Sequence, residues 1–238
     1  MTSSAPAGAS FPPSIPPLIP PTITDVILVG GTFDPPHRAH ISLPIEARDA
    51  ARLTGALLLY VPASQSPLKQ STPAASDDDR VAMLKLALES VPNVAIWNDE
   101  LVRTRGTHER SFTIDTVRRL RECVPRPLNV RLLLGTDQAI VFHRWREPRE
   151  LLALAPPLVM LRGMTAPEFR SAMSESSFWN GSELQIWERS IAGSARSDIS
   201  STRVRDLLST GASDSPQLAV ALAPNVLDFI RRKSLYRG

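Results

Sequence analysis

Short, β-branched apolar runs alternate along the chain with longer stretches whose apolar positions recur at helical spacing. The runs are Val26-Ile27-Leu28-Val29, Ala56-Leu57-Leu58-Leu59-Tyr60-Val61, Val94-Ala95-Ile96-Trp97, Val130-Arg131-Leu132-Leu133-Leu134 and Pro157-Leu158-Val159-Met160-Leu161. Each has the length and residue types of a buried strand. Between them the period changes. Ile41, Ile45 and Leu53 predict a helix in which Pro44 forces a late start or a bend. Asp77 to Glu89 opens with acids and sets Val81, Leu84 and Leu88 on one face. Ile114, Val117 and Leu120 form another face behind Ser111, an expected N-cap, and Met83 is expected in the core. Glu100 to Arg103 reads as loop, and Pro224 to Tyr236 as an amphipathic terminal helix. From 163 to 197 the pattern weakens. Ala166 to Met173 suggests a helix, Leu184 to Trp187 a short strand, and Ser174 to Ser182 an insertion or mobile loop. Five strands alternating with helices predict one α/β domain, doubly wound around a parallel sheet.

Composition moves the start of that domain. Residues 1–22 are Ser, Ala and Pro with three Pro-Pro pairs, so they predict an extended or disordered extension, and the domain is expected over 23–238. The extension lacks the basic start and continuous apolar core of a signal peptide. No apolar run approaches bilayer-spanning length. The single cysteine, Cys123, rules out an internal disulfide framework and fits a reducing cytoplasm. A net charge of +3 suits anionic small substrates and does not argue for a nucleic-acid partner.

The candidate chemistry lies directly after the first strand, in Gly30-Gly31-Thr32-Phe33-Asp34-Pro35-Pro36-His37-Arg38-Ala39-His40. Two glycines let the backbone leave the strand, two prolines delay the helix, and paired histidines stand at its start. N–H groups and the positive dipole end of a helix N-terminus favour an anion there. Near the other end, Ile199-Ser200-Ser201-Thr202-Arg203-Val204-Arg205 supplies a second capped helix start, with Arg205 one turn further on.

The first string resembles the His-x-Gly-His signature of the nucleotidyltransferase superfamily, in its nicotinate-nucleotide adenylyltransferase branch, with Ala39 where the family has glycine. The second resembles that family's Ile-Ser-Ser-Thr-x-Ile-Arg phosphate motif. The resemblance implies a Rossmann-like domain that joins ATP to nicotinate mononucleotide, giving deamido-NAD and pyrophosphate. It implies catalytic roles for His37, His40 and Arg205, and ATP contacts from Gly30, Gly31, Thr32, Phe33, Ser200, Ser201 and Thr202. It places Asp34, Lys69, Thr113, Gly135, Asp137 and Trp145 at the mononucleotide. Lys69 ends a loop where the family has His-Lys and this chain Leu68-Lys69. Thr113 lies in Ser111-Phe112-Thr113, with Phe112 for the family's tyrosine, and Trp145 follows Gly135-Thr136-Asp137. Magnesium is expected to ride on the ATP phosphates, since no dense carboxylate cluster is visible. A homo-oligomer is compatible with this reading. The alternatives are another phosphorylated acceptor, such as nicotinamide mononucleotide or phosphopantetheine, or a nucleotide-binding regulatory protein that has lost catalysis.

Overall fold

The structure, a computed structural model, describes residues 16–64, 72–105, 110–194, 199–211 and 215–237. Its sheet is parallel throughout and is formed by β1 (Asp25–Gly31), β2 (Leu57–Pro62), β3 (Val94–Ile96), β4 (Asn129–Gly135), β5 (Pro157–Leu161) and β6 (Ile191–Ser194), in the order β3-β2-β1-β4-β5-β6. The expected five strands are present, and β6 adds a sixth at the edge. Helices α1 (Ala39–Ala50) and α2 (Asp77–Leu88) lead to β2 and β3. Then α3 (Asp99–Thr104) and α4 (Thr113–Cys123) precede β4, and α5 (Thr136–Ile140) and α6 (Pro148–Leu154) precede β5. The chain continues through α7 (Ala166–Glu175), α8 (Gly181–Arg189) and β6 to α9 (Ser201–Ser209), α10 (Pro216–Ala221) and α11 (Pro224–Lys233).

Alternation along the strands sorts the core. Val26 and Leu28 of β1 join Leu59, Leu132 and Val159 under α4, α6, α7 and α8. Ile27 and Val29 point the other way, with Leu58 and Tyr60, toward α1 and α2. A third cluster binds Met83 of α2 to Val204, Leu208, Leu218 and Ile230, so the last three helices form an outer layer.

Three expectations change between 163 and 197. Leu184 to Trp187 is helical: Asn180 and Glu183 form a reciprocal capping box that starts α8. The expected insertion at 174–182 is a tight connection, with Trp179 buried among Phe142, Phe178 and Trp187. The strand of this region comes later, as β6. Elsewhere, Glu100 to Arg103 belongs to α3 rather than to a loop. Ser111 is not the cap of α4; Phe112 holds that position, and the Ser111 hydroxyl donates to Glu100 Oε2 at 2.7 Å.

The extension also ends earlier than composition suggests. Ile19 is buried in the main core, and the Arg126 guanidinium donates to the Pro20 and Ile23 carbonyls. Burying an isoleucine contributes roughly 1.5–3 kcal/mol. A chain cut after Thr22 is therefore expected to melt roughly 3–10 °C below one cut before Pro16, read by thermal unfolding. Equal melting temperatures would show that Ile19 contributes nothing to the core.

Candidate active site

In this strand order the chain leaves β1 toward β2 and leaves β4 toward β5, on opposite sides. Open α/β sheets bind ligands in the crevice at such a switch point, outside the strands' carboxyl ends. The first motif follows β1 there, and Gly135-Thr136-Asp137 follows β4.

The turn after β1 is shaped by Phe33, whose backbone is left-handed (φ 50°) and whose ring is fully buried. That ring meets His40 edge-on at 5.2 Å and Tyr60 at 5.8 Å. A Cβ on Gly31 would lie 3.0 Å from it, so glycine lets the turn close. The Phe33 side chain is thus a buttress inside the turn and is not exposed to a ligand. Gly30 is exposed at the open end of the strand, while Thr32 is half-buried and accepts from Arg80 through its carbonyl at 2.5 Å.

His37 and His40 stack at 3.7 Å between ring centroids. The His37 backbone N–H donates to His40 Nδ1 at 3.1 Å. With Nδ1 accepting, the neutral His40 ring carries its proton on Nε2. His37 is buried, and its Nδ1 has no partner among the described residues. Burial first, and then the positive charge of Arg162, lower its pKa from the usual range to about 4. The helix-start amides contribute less than expected. Those of His37, Arg38 and His40 go to His40 Nδ1, the Ala221 carbonyl and the His37 carbonyl. Three amides of the turn are thus already engaged within the protein. Ala39 opens α1 with its methyl buried and its backbone helical, so the absent glycine imposes no backbone strain.

The second motif folds onto this turn. Ser200 caps α9 by accepting from the Arg203 N–H, and the Ser201 hydroxyl donates to the Pro35 carbonyl at 3.0 Å. Arg205 donates to the Asp34 carbonyl at 2.7 Å and lies 3.4 Å from the Thr202 hydroxyl. Asp34 itself is an internal clasp. Its carboxylate accepts from the Ala74 and Ala75 N–H groups and from the Tyr236 hydroxyl, at 2.7, 3.1 and 2.7 Å.

The other expected mononucleotide residues divide in two. Gly135 ends β4, exposed Asp137 and half-buried Trp145 follow it, and a Cβ at 135 would stand 2.8 Å from Asp137 Oδ1. Trp145 stacks on Phe142 at 5.0 Å, and its buried Nε1 has no partner among the described residues. Thr113 opens α4 beside Phe112, over which the Arg146 guanidinium lies at 4.9 Å. Trp145 and Thr113 are thus brought to one region. Lys69 lies outside the described residues.

Sequence reasoning missed three residues here. Arg162 directly follows β5 at the ligand edge and faces His37; its place after an apolar strand was the available signal. Buried Glu100 accepts from Ser111 and Thr116, and desolvation raises its pKa. Tyr236 had no local signal at all.

The His37 value predicts a pH dependence. In the unfolded chain this histidine binds a proton below about pH 6.5, but in the fold only below about pH 4. Stability is therefore full above about pH 6.5, falls as pH drops toward 4, and then levels. The whole span is about 3 kcal/mol. Denaturant titration of the ligand-free protein between pH 7 and 4 should show this slope, and His37→Asn should flatten it; an unchanged slope in the variant counts against it.

Residues 28–207, both motifs included, match the family described as cytidylyltransferase-like. A probable nicotinate-nucleotide adenylyltransferase of Aeromonas hydrophila is 33% identical, over 88% of this chain and 96% of its own. The chain belongs to the nicotinate-nucleotide adenylyltransferase family. Another probable member, from Cellvibrio japonicus, is 32% identical over 88% of this chain and 97% of its own. Among solved structures, the Plasmodium falciparum nicotinic acid mononucleotide adenylyltransferase complexed with NaAD superposes with a TM-score of 0.61. That match covers 90% of this chain and 97% of the other at 18% identity, so it bears on the fold. Among the described residues, no helix is long and apolar enough to cross a membrane.

Proposed function

We propose that this nicotinate-nucleotide adenylyltransferase family member transfers the adenylyl group of ATP to nicotinate mononucleotide, forming deamido-NAD and releasing pyrophosphate. One observation carries the reading. Two motifs 166 residues apart are joined, through Ser201 and the Pro35 carbonyl, around a stacked histidine pair.

The nucleophile is the mononucleotide's phosphate, already largely ionised at pH 7 because its second pKa is about 6. No general base is needed. The reaction needs in-line placement and neutralisation of the charge on the α-phosphate and the departing pyrophosphate. His40 Nε2–H is held ready as one donor. His37 is a second, and a bound phosphate would favour its protonated form. Arg205, which among the described residues donates to the Asp34 carbonyl and the Thr202 hydroxyl, supplies a fixed positive charge beside the turn. Among the described residues no group of three or more His, Cys, Asp or Glu is arranged to hold a metal. Magnesium carried on the ATP phosphates would supply charge neutralisation beside these donors. At the acceptor end, the Trp145 ring offers a stacking surface to the pyridine and Thr113 a hydroxyl to its carboxylate.

Pyrophosphate release with ATP and either nicotinate mononucleotide, nicotinamide mononucleotide or phosphopantetheine tests the reaction. The first acceptor should be used best, and no release with any of them would leave a binding protein. Trp145→Ala should raise KM for the mononucleotide by about tenfold, the loss of one aromatic contact, with KM for ATP little changed. Equal changes in both would make Trp145 a packing residue.

A further inference from the structure

Pro44 lies inside α1, four residues beyond His40. A helical residue in that place would donate its N–H to the His40 carbonyl; proline has none to give. The carbonyl that loses its partner belongs to the residue on which the site depends. A buried carbonyl left without a donor is costly, and a first turn without that bond is free to shift.

The replacement comes from the neighbouring strand. Tyr60 of β2 is completely buried, and its hydroxyl donates to the His40 carbonyl at 3.1 Å. Burial raises the phenol's pKa, so the group remains a neutral donor at every working pH. Phe33 fills the space between the Tyr60 and His40 rings. His40 is therefore held at Nδ1 by the His37 amide and at its carbonyl by Tyr60.

We propose that Tyr60 is a positioning residue for His40, its hydroxyl replacing the helix N–H that Pro44 removes and so fixing the first turn of α1 under the phosphate site. The tyrosine and the proline are then one device. Tyrosine matters at 60 only because proline stands at 44. The proposal rests on the reading of His40 as a phosphate donor.

A double-mutant cycle tests it, with Tyr60→Phe, Pro44→Ala and the pair. Tyr60→Phe keeps the ring and removes only the hydroxyl. It should lower kcat about fivefold, the scale of one lost hydrogen bond, with KM for the mononucleotide unchanged. In the Pro44→Ala background the residue 44 N–H can take the carbonyl, and the same change should cost less than about twofold. A packing role for the hydroxyl would give equal losses in both backgrounds, and that result would overturn the proposal. A second readout needs no activity. The chain has four histidines, so the His40 imidazole signal in proton–nitrogen spectra can be assigned with His40→Asn. Tyr60→Phe should move that signal, and Pro44→Ala should return it. An unmoved signal in Tyr60→Phe overturns the proposal even if Pro44→Ala fails to fold. Absence of pyrophosphate release by the unaltered protein would sink the functional reading alone, leaving the spectra to decide the role of Tyr60.

Discussion

Replacing His40 by alanine is expected to lower turnover on the order of a hundred- to a thousandfold while the protein stays folded. The size follows from the kind of donor lost. Its ring is held from both sides before any ligand arrives, by the His37 amide and by the Phe33 edge. A preorganised donor needs no reorganisation when charge develops, and removing one typically costs this much. The fold should survive because the side chain is only half-buried and its hydrogen bond to the His37 amide is local. Turnover by pyrophosphate release, with melting temperature beside it, checks both halves. A loss below about fivefold in a well-folded variant would remove His40 from the chemistry.

Arg205→Ala should reduce kcat/KM for ATP about ten- to a hundredfold, the scale of a charged hydrogen bond to phosphate. Arg205 has two duties, since it also holds the Asp34 carbonyl at 2.7 Å. Arg205→Lys separates them. Lysine keeps the charge but not the planar fork that serves two partners at once. It should recover part of the ATP dependence while leaving the turn less constrained. If ATP kinetics are unchanged in both variants, the second motif is a structural brace and not a phosphate site.

Local pattern made much of this legible. The strand before the histidines, the acidic start of α2 and the serine cap of α9 are each decided by a few neighbouring residues. What could not be read depended on distant ones. Leu184 to Trp187 has the apolar density of a strand, and only the Asn180–Glu183 capping box starts a helix there. Glu100 looks like a solvated loop acid until Ser111 and Thr116 bring their hydroxyls to it. Phe33 was legible as part of a motif but not as its buttress, because Tyr60 and His40 surround it from separate elements. Asp34 was assigned to the mononucleotide by its place in the string. In the structure both carboxylate oxygens are already engaged within the protein.

The Asp34 clasp also places the completion of the site in time. Its carboxylate accepts from Tyr236, 202 residues later, and its carbonyl from Arg205, 171 residues later. At ordinary synthesis rates of about 5–20 residues per second, roughly 10–40 s separate the making of Asp34 and Tyr236. For most of that interval the growing chain carries its histidine pair before Ser201 and Arg205 exist, and for all of it before Tyr236 does. The histidine turn is therefore made long before Ser201, Arg205 and Tyr236 exist to close on it, and those partners reach it one after another.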